Sequence, residues 1–415
     1  MTINTYSKPI SFPLYTSLSL LVFVLITAPT PTHQQSTTNT RLQRAYTAFQ
    51  EWKKLITCDP NNFTSNWTGL NVCNYAGVYC APAPDDPTQL TVAGIDLNHA
   101  NIAGTLPNDF GLLLPDLALL HLNSNKFFGP IPCTFCHLQL LYELDLSNNL
   151  FSGEFPCILL TLHSLKFLDI RFNHFYGSIP SSIFDLKLDA LFLNNNNFTS
   201  SIPGNIANSP VSVLVIANNN LNGCFPTEIP KMGDTLEEII LLNSGLKGCL
   251  PENIGALTKT TVLDVSFNSL TGKLPESIGN MKKLEQLDVA YNKFYGEIPS
   301  SISSLPNLQN FTYSNNYFCT EPPKCVALKV KDDKFNCISN RPLQRSPMEC
   351  KAFLSNPPNC GSLGYSALSR HRPKPINIVC GSNIGMLSSF ITVILSLRTI
   401  QTKTYCLIHL LENLC

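Results

Sequence analysis

The stretch that decides the fold is LDVSFNSLTGKLP, which runs from Leu263 to Pro275. It has the form L-x-L-x-x-N-x-L-x-G-x-L-P, and the chain repeats this form along much of its length. The Asn position of the motif recurs every 23 to 25 residues, and Ala100 and Ser244 stand in it in two imperfect copies. The other copies carry Asn125, Asn149, Asn173, Asn196, Asn219, Asn268, Asn292 and Asn316. A pattern that keeps its phase over about 220 residues indicates an internal repeat.

One copy of this motif cannot fold alone. Its L-x-L segment is a short strand whose two Leu side chains point the same way. Those side chains are buried only when the next copy stacks beside them, so stability is a sum of contacts between neighbouring copies. An inward Asn side chain can satisfy the backbone amides and carbonyls at the turn after each strand. The period therefore predicts a leucine-rich repeat solenoid of about ten copies, each near 24 residues long.

Composition narrows the classes of function. The chain has 415 residues, a formal net charge of zero and 13% charged residues, so it is not a polybasic nucleic-acid binder. Its 16 Cys indicate an oxidising compartment. The sequence has no H-E-x-x-H, G-x-S-x-G or phosphate-binding-loop motif, and its repeated Asp residues follow the motif period. We therefore expect no enzyme activity, no cofactor and no metal site.

The N-terminal part of the chain divides into two segments. Residues 1–33 contain an apolar run from Leu14 to Ile26, which predicts a secretory signal peptide. The alternative is an N-terminal membrane anchor, but the run is short for a hydrocarbon core of about 30 Å. Residues 34–89 are predicted to form an N-terminal cap that covers the open end of the stack. This cap includes an amphipathic helix with apolar residues at Leu42, Ala45, Phe49, Trp52 and Ile56.

Three further segments follow the N-terminal cap. Residues 90–318 hold the repeats, and residues 319–362 are dense in Cys and Pro and predict a disulfide-held C-terminal cap of open connectivity. Residues 363–415 resemble nothing before them, and we predict a divergent, disordered or gene-model-derived tail. A lipid-anchor signal is the alternative for this tail, although its apolar run does not lie at the very C-terminus.

The repeat period also predicts disulfide bonds between neighbouring copies. Cys224 and Cys249 each follow the motif Gly, and Cys133 and Cys157 each follow the motif Pro. Residues in the same position of adjacent copies lie about 4.7–5 Å apart if the copies keep strand spacing. That distance is within the Cα separation of about 4.4–6.8 Å that a disulfide needs. We predict Cys224–Cys249 and Cys133–Cys157, with Cys136 as a competitor in the second pair.

The strand face is the expected binding surface of such a solenoid, as its concave side. Five of the ten residues between the two strand Leu positions are Asp, in two groups that flank an apolar middle. Acidic flanks with neighbouring aromatic residues suit a basic, partly apolar peptide. The alternative is that these Asp residues only solvate the face or bond the next strand. The predicted ligand-binding residues are Asp145, Asp169, Arg171, Phe172, Asp264, Phe267, Asp288 and Tyr291.

Four N-x-S/T sequons predict N-linked glycosylation in a secreted chain. They stand at Asn62, Asn66, Asn197 and Asn310. Glycans are bulky and lie on the surface, so we expect them mostly off the partner-binding face.

Non-consensus stretches of the repeats and caps resemble a known family, the plant leucine-rich repeat extensins and their pollen-expressed relatives. Examples are DLNHA at residues 96–100, LLHLNSN at 119–125, FLDIRFN at 167–173, TVLDVSFN at 261–268 and RPLQRSP at 341–347. The resemblance covers about residues 42–361. Two departures are the absence of Ser-Pro runs after the C-terminal cap and Phe128, where the family tends to have Cys.

The resemblance implies several properties of the fold. The G-x-I-P ending is similar to the plant-type repeat, which adds a second short strand and a 3₁₀ turn to each copy. The fold class is thus α/β: a right-handed, plant-type leucine-rich repeat solenoid of mostly parallel strands, with Cys-containing caps. Trp67 followed by Cys73 and Cys80 resembles the N-terminal cap of secreted plant repeat proteins, which implies the disulfide Cys73–Cys80.

The resemblance also implies partners and location. The family binds secreted, basic, Cys-rich peptides of the rapid-alkalinization type, so we expect such a peptide or another wall protein as partner. A pectin-like wall polysaccharide or a microbial wall hydrolase is the alternative, by analogy with polygalacturonase inhibitors, and a structural wall protein is a third reading. A homodimer is left open. We expect secretion to the cell wall, no nucleic-acid partner and no membrane anchor.

Overall fold

The computed structural model describes residues 40–326, 330–358 and 360. The predicted signal peptide at 1–33 and the predicted tail at 363–415 lie outside these described residues. The α-helices are α1 Thr40–Leu55, α2 Phe110–Leu113, α3 Pro323–Val326 and α4 Pro347–Leu354. Short 3₁₀ helices span Phe63–Asn66, Val72–Asn74, Cys133–His137, Cys157–Thr161, Ser181–Asp185, Gly204–Asn208, Ile229–Met232, Ile254–Ala256, Glu276–Asn280 and Ile302–Ser304.

The strands are short and recur in pairs along the chain. They are β1 Ile56–Cys58, β2 Val78–Pro82, β3 Leu90–Asp96, β4 Ala103–Gly104, β5 Leu119–His121, β6 Lys126–Gly129, β7 Glu143–Asp145, β8 Leu150–Glu154, β9 Phe167–Asp169, β10 His174–Gly177, β11 Ala190–Phe192, β12 Asn197–Phe198, β13 Val213–Val215, β14 Gly223–Cys224, β15 Glu238–Ile240, β16 Leu246–Gly248, β17 Val262–Asp264, β18 Ser269–Gly272, β19 Gln286–Asp288, β20 Lys293–Glu297, β21 Asn310–Thr312, β22 Tyr317–Thr320 and β23 Val330–Asp332.

Twelve of these strands form one sheet, which we call the long sheet. Its order is β2-β3-β5-β7-β9-β11-β13-β15-β17-β19-β21-β23, and β2 is its antiparallel member. The register places the same motif position of neighbouring copies side by side, so Leu263 pairs with Leu287 and Asp264 with Asp288. The predicted leucine-rich repeat solenoid is thereby confirmed.

The second strand of each copy lies in one of two shorter sheets, which we call the outer sheets. Their orders are β1-β4-β6-β8-β10-β12 and β14-β16-β18-β20-β22. In most copies a 3₁₀ helix follows the motif Pro, as Glu276–Asn280 follows Pro275. Proline suits this position because its fixed φ and missing N–H cost little at the first residue of a turn. The plant-type repeat is confirmed by the second strand and this 3₁₀ turn.

The repeated Asn side chains hold each turn from inside the stack. Asn149 Nδ2 donates hydrogen bonds to the carbonyl oxygens of Leu122, Leu146 and Ser147 at 2.8, 3.1 and 3.0 Å. Its Oδ1 accepts a hydrogen bond of 2.9 Å from the backbone N–H of Phe127. A buried polar group left without a partner costs about 1–3 kcal/mol, so each Asn prevents a large local penalty. The motif Asn is therefore structural.

The N-terminal cap packs its helix against the first coils. Phe49 and Trp52 of α1 are fully buried, as sequence periodicity predicts. The Trp67 ring lies edge-on to Phe49 at 4.9 Å between centroids, and its Nε1 donates to the carbonyl oxygen of Ala76 at 3.0 Å. The predicted Cys73–Cys80 disulfide is present. This cap closes the end of the stack with aromatic area.

The predicted Cys224–Cys249 disulfide is wrong, because Cys249 is bonded to Cys360. The C-terminal cap folds back across an outer sheet, where the Phe353 ring stacks on Tyr317 at 3.6 Å. This path brings Cys360 to within 5.7 Å of Cys249 between Cα atoms. Cys224 was the predicted partner of Cys249 because the two hold the same position in adjacent copies. The Cys249 sulfur is instead bonded to Cys360, which is distant in sequence. A second bond, Cys337–Cys350, lies within the C-terminal cap.

The predicted Cys133–Cys157 disulfide is also wrong. Cys133 is an exposed free thiol at the start of a 3₁₀ helix, while Cys136 of the same helix is disulfide-bonded. The repeat period fixes the spacing of the Cα atoms but not the direction of the side chains. Cys133 faces solvent instead of the neighbouring coil.

The coil pattern continues into the predicted C-terminal cap. Strand β23 pairs in parallel with β21 and places Asp332 beside Thr312. Asn336 takes the motif Asn role, since its Nδ2 donates to the Tyr313 carbonyl oxygen at 3.0 Å and its Oδ1 accepts from Phe318 N–H at 3.2 Å. The spacing from Asn316 to Asn336 is 20 residues, shorter than the other intervals, which hid this coil in the sequence.

Candidate functional site

The solvent-facing side of the long sheet, which we call the long-sheet face, carries the residues that the sequence predicts as a binding surface. In β17, Leu263 is fully buried while Val262 and Asp264 on either side are half-exposed. The same alternation holds in β19, where Leu287 is buried between half-exposed neighbours. A period of two is what a strand with one buried face requires. The first and third residues of each of these strands therefore face solvent, and the same position in successive strands forms a row across the sheet.

The turn after each long-sheet strand adopts a left-handed backbone. Asn148, Asn195 and Asn218 hold φ of 54°, 56° and 51° directly before the motif Asn. Asn tolerates this conformation better than most residues do, whereas a bulky side chain there is an outlier. Four copies nevertheless place an aromatic ring at the same position, namely Phe172, Phe267, Tyr291 and Phe335, with φ between 52° and 54°.

These aromatic rings are exposed and not part of the core. The exposed fractions of Phe172, Phe267, Tyr291 and Phe335 lie between 46% and 49%. Phe267 and Tyr291 stack on each other with centroids 4.1 Å apart and an interplanar angle of 11°. Backbone strain of this kind costs about 1–3 kcal/mol per residue and persists where the surrounding structure imposes it, as the repeat does at this turn. Phe267 and Tyr291 therefore present a stacked aromatic surface to solvent on the long-sheet face.

The Asp residues of the face have a structural role as well as a charge. Asp264 Oδ1 accepts hydrogen bonds from the backbone N–H and the hydroxyl of Ser266, at 2.9 and 2.7 Å. Asp288 Oδ1 likewise accepts from the Ala290 N–H at 2.9 Å. Each carboxylate thus closes its own turn. This finding supports part of the alternative reading, in which Asp serves the repeat itself.

Asp264 and Asp288 nevertheless form an acidic pair without a protein counter-ion. Among the described residues, no Lys, Arg or His nitrogen lies within 4.0 Å of either carboxylate. Burial raises the pKa of Asp288 to about 6, and the neighbouring Asp264 carboxylate adds to the effect. Burial also raises the pKa of Asp264. We call Asp264, Phe267, Asp288 and Tyr291 the acid–aromatic site.

In the other predicted group, Asp169 is paired with a neighbouring cation. Asp169 is only 1% exposed, and its Oδ2 lies 3.0 Å from Arg171 Nε. The Arg171 guanidinium also lies over the Phe192 ring, 5.1 Å from its centroid. Burial raises the pKa of Asp169 to about 7, against the opposing effect of Arg171. Asp169 and Arg171 are therefore mainly structural, while Asp145 and Phe172 stay at the surface.

The two predicted groups are brought onto one face but not together. Strands β11, β13 and β15 separate β9 from β17, with Phe192, Val215 and Ile240 in the intervening row. Four strand steps at the usual spacing correspond to about 19 Å. A single side chain of a ligand cannot contact both groups.

His121 adds a titratable group near the first acidic residues. Its Nε2 lies 3.1 Å from Glu143 Oε2, in a pair half-buried on the face. Burial alone would lower the pKa of His121, but the hydrogen bond with Glu143 and the charges of Asp145 and Asp96 raise it overall. Glu143 in turn has a lowered pKa, chiefly because of this hydrogen bond. Protonated His121 thus balances the charge of Glu143, while Asp96 and Asp145 add negative charge to this end of the face.

Sequence reasoning missed two residues of the face in the irregular coil. Asp332 stands in the same row as Asp288, and Phe335 in the same row as Tyr291. The signal was present as VKDDKFN at residues 330–336, which matches VLDVSFN at 262–268 in its Asp, Phe and Asn positions. The shortened interval before it concealed the match.

The sequons occupy different surfaces. Asn62 and Asn66 are exposed in the N-terminal cap, and Asn197 is exposed on β12 of an outer sheet. Asn310 lies on β21 of the long sheet itself. Asn310 is thus the exception to the expectation that glycans lie mostly off the predicted binding face.

No group of three or more His, Cys, Asp or Glu side chains could hold a metal ion within the described ranges. None of the helices in the same ranges is long and apolar enough to cross a membrane.

Known families and structures match the chain along the caps and repeats. Residues 43–81 match the family described as leucine rich repeat N-terminal domain, and residues 140–162, 164–186, 259–281 and 283–305 match Leucine Rich Repeat. The chain is similar to the ectodomain of the Arabidopsis receptor kinase HAESA, solved with an extended IDA peptide hormone. The TM-score is 0.63 at 29% identity, covering 71% of this chain and 50% of that chain.

A second solved structure is the leucine-rich repeat ectodomain of GASSHO1/SCHENGEN3 from Arabidopsis thaliana, in complex with CASPARIAN STRIP INTEGRITY FACTOR 2. Its TM-score is 0.63 at 26% identity, covering 72% of this chain and 36% of that chain. Together with the repeats, caps and exposed sheet face, these matches define a plant-type leucine-rich repeat protein.

Curated relatives identify the family within this class. Leucine-rich repeat extensin-like protein 6 of Arabidopsis thaliana is 61% identical over 330 residues, which cover 79% of this chain and 70% of that protein. Leucine-rich repeat extensin-like protein 2 of the same plant is also 61% identical, over 79% of this chain but only 42% of that protein. The chain belongs to the leucine-rich repeat extensin-like family. It spans less than half of several relatives, including protein 1 at 46%.

Proposed function

We propose that this protein is a secreted cell-wall protein that binds a basic, Cys-rich signalling peptide of the rapid-alkalinization type at the acid–aromatic site. In this role it takes part in cell-wall formation and growth control. The observation that carries the proposal is the Phe267–Tyr291 stack, exposed on a strained backbone in the same two coils as Asp264 and Asp288, which have no counter-ion among the described residues. Exposed aromatic area and unpaired negative charge are the chemistry that a basic, partly apolar peptide would complement.

Two comparisons support a peptide as the ligand. The ectodomains of HAESA and GASSHO1/SCHENGEN3 were solved with peptide partners, on the same type of repeat. Two curated relatives that are 61% identical to this chain are named leucine-rich repeat extensin-like proteins, which supports an extracellular, wall-associated location.

Electrostatics disfavours a pectin-like ligand at this site. Acidic polysaccharides carry negative charge, and a like-charged pair such as Asp264 and Asp288 would repel them. A microbial wall hydrolase with a basic surface remains the alternative partner, because a protein could use the same aromatic anchors. A structural wall role is the third reading, and it needs no soluble ligand.

The test is a titration with a synthetic, oxidised rapid-alkalinization peptide, using the Asp264→Asn/Asp288→Asn variant. Asn keeps an oxygen that can accept from Ser266 and Ala290, so the turns should survive while the charge is lost. The matched control is Asp109→Asn/Asp234→Asn, which removes two exposed carboxylates outside the face. We expect about a tenfold weaker affinity, about 1.4 kcal/mol, for the site variant and wild-type affinity for the control.

Further ligands separate the alternatives. Equal affinities of the two variants for the peptide would overturn the proposal. The alternative partners are tested with oligogalacturonides and a fungal polygalacturonase. If either binds wild type in competition with the peptide, or in its place, a pectin-like ligand or a microbial wall hydrolase would be favoured.

A further inference from the structure

The sequon at Asn310 lies on the same face as the acid–aromatic site. Phe311 is fully buried, whereas Asn310 and Thr312 on either side are half-exposed, so both face solvent from the long sheet. In the parallel register Asn310 pairs with Gln286 and Thr312 pairs with Asp288. Diagonal neighbours in a sheet lie about 7–8 Å apart, which places Asn310 next to the carboxylate of Asp288.

The folded chain leaves the Asn310 amide available. Within the described residues its side chain makes no hydrogen bond, and its backbone N–H donates to the Glu285 carbonyl oxygen at 3.0 Å. Asn66 differs, because its Nδ2 donates to the Asn74 carbonyl oxygen at 2.9 Å and its Oδ1 accepts from Ala76 N–H at 3.0 Å. A glycan on Asn310 would therefore displace no side-chain hydrogen bond of the described fold.

A glycan at this position would stand beside the site on the β21 side. N-linked glycans are bulky and strongly hydrated. A peptide that approaches Asp288 and Tyr291 must either pass such a group or dock from the β17 side. Obstructing the approach of a partner lowers the association rate, whereas the contacts made in the bound complex stay the same.

We propose that Asn310 carries an N-linked glycan on the long-sheet face, and that this glycan restricts access of the basic peptide to the acid–aromatic site. The inference rests on the proposed function, and it adds a modification that regulates the same site. Glycosylated chains bind the peptide more slowly than chains that lack this one glycan. Partial occupancy in the cell would then give two populations with different peptide affinity.

The experiment uses the full chain secreted from plant cells. Peptide mapping by mass spectrometry reports occupancy at Asn310, and surface binding kinetics with the same synthetic peptide report the association rate. Asn310→Gln should raise the association rate several-fold to about tenfold. The matched control is Asn197→Gln, which removes a sequon from β12 of an outer sheet and should leave the rate unchanged.

A second route avoids substitution of Asn310. Wild-type chains made with high-mannose glycans are trimmed enzymatically to a single GlcNAc per site, and their association rate should rise in the same direction as that of Asn310→Gln. An unoccupied Asn310 overturns the inference. So does an occupied Asn310 whose removal and trimming both leave the association rate at the wild-type value.

The failure of this inference differs from failure of the proposed function. If Asp264→Asn/Asp288→Asn weakens binding while Asn310→Gln changes nothing, the peptide site stands and the glycan inference falls. If wild type and the trimmed and Asn310→Gln chains all fail to bind the peptide, the proposed function falls and this inference falls with it.

Discussion

Phe267 and Tyr291 stack with their ring centroids 4.1 Å apart while both residues hold the left-handed φ of 53°. Neighbouring copies satisfy the same turn with Asn, which has no ring to expose. The repeat keeps Phe267 and Tyr291 one coil apart, so two strained positions produce one aromatic platform. The platform borders the carboxylates of Asp264 and Asp288, which the register holds side by side.

The first prediction separates stability from binding at this platform. Replacing both rings in Phe267→Asn/Tyr291→Asn relieves two left-handed penalties of about 1–2 kcal/mol each. It forfeits one aromatic pair worth about 0.5–1.5 kcal/mol. We therefore expect the free energy of unfolding, measured in denaturant, to rise by about 0.5–3.5 kcal/mol, while peptide affinity falls at least tenfold.

A control for this prediction uses a ring at the same turn position outside the acid–aromatic site. Phe172→Asn relieves the same kind of strain and should leave peptide affinity at the wild-type value. A double variant that binds the peptide as wild type does would show that the rings are not contacts.

The second prediction concerns stability and pH. The pKa of Asp288 is raised from 3.8 to about 6 in the folded chain, so the unfolded chain releases this proton at lower pH. The stabilising contribution is present below the unfolded pKa and is lost as pH rises through the folded value. We expect the unfolding free energy of wild type to fall relative to Asp288→Asn between about pH 4 and pH 7. Denaturant titrations at one-unit pH steps measure it, and parallel curves would contradict it.

The third prediction concerns ligand binding and pH. The Asp288 carboxyl gains negative charge as pH rises through about 6, whereas Lys and Arg of a basic peptide stay charged. The pKa of Asp264 is also raised by burial. Peptide affinity of wild type should therefore increase between pH 5 and pH 7. Isothermal titration at fixed ionic strength tests this, and Asp264→Asn/Asp288→Asn should lose most of the pH dependence. An affinity of wild type that falls with pH would show that another group controls binding.

The repeat period could predict much of this architecture, and its failures have physical reasons. It placed Asp264 beside Asp288, since residues one period apart share a register position. It could not show that Asp169 is buried against Arg171, because this depends on one neighbouring side chain. It also misassigned Cys249, whose partner lies 111 residues away in a segment with no repeat. The position of Asn310 could have been predicted from the sequence, since strand alternation puts it on the same face as Thr312.

The fourth prediction tests the long-range disulfide. Cys249→Ser/Cys360→Ser opens a link between residues 111 positions apart. In the chain-entropy model a loop of about 100 residues gives about 4.7 kcal/mol, so the variant should lose up to that amount in unfolding free energy. The C-terminal cap should also become more sensitive to protease. Cys58→Ser, at an exposed free thiol, is the control and should change stability by less than about 0.5 kcal/mol.

The fifth prediction tests whether the irregular coil supports the face. Asn336→Ala removes the donor to the Tyr313 carbonyl oxygen and the acceptor for Phe318 N–H. Both backbone groups are buried, and each unpaired group costs about 1–3 kcal/mol, so we expect a loss of about 2 kcal/mol or more. Because the same turn carries Asp332 and Phe335, hydrogen exchange of residues 330–336 should accelerate while residues 143–149 stay protected. Uniform acceleration along all coils would instead mean that the solenoid unfolds as one unit and that this coil has no independent local stability.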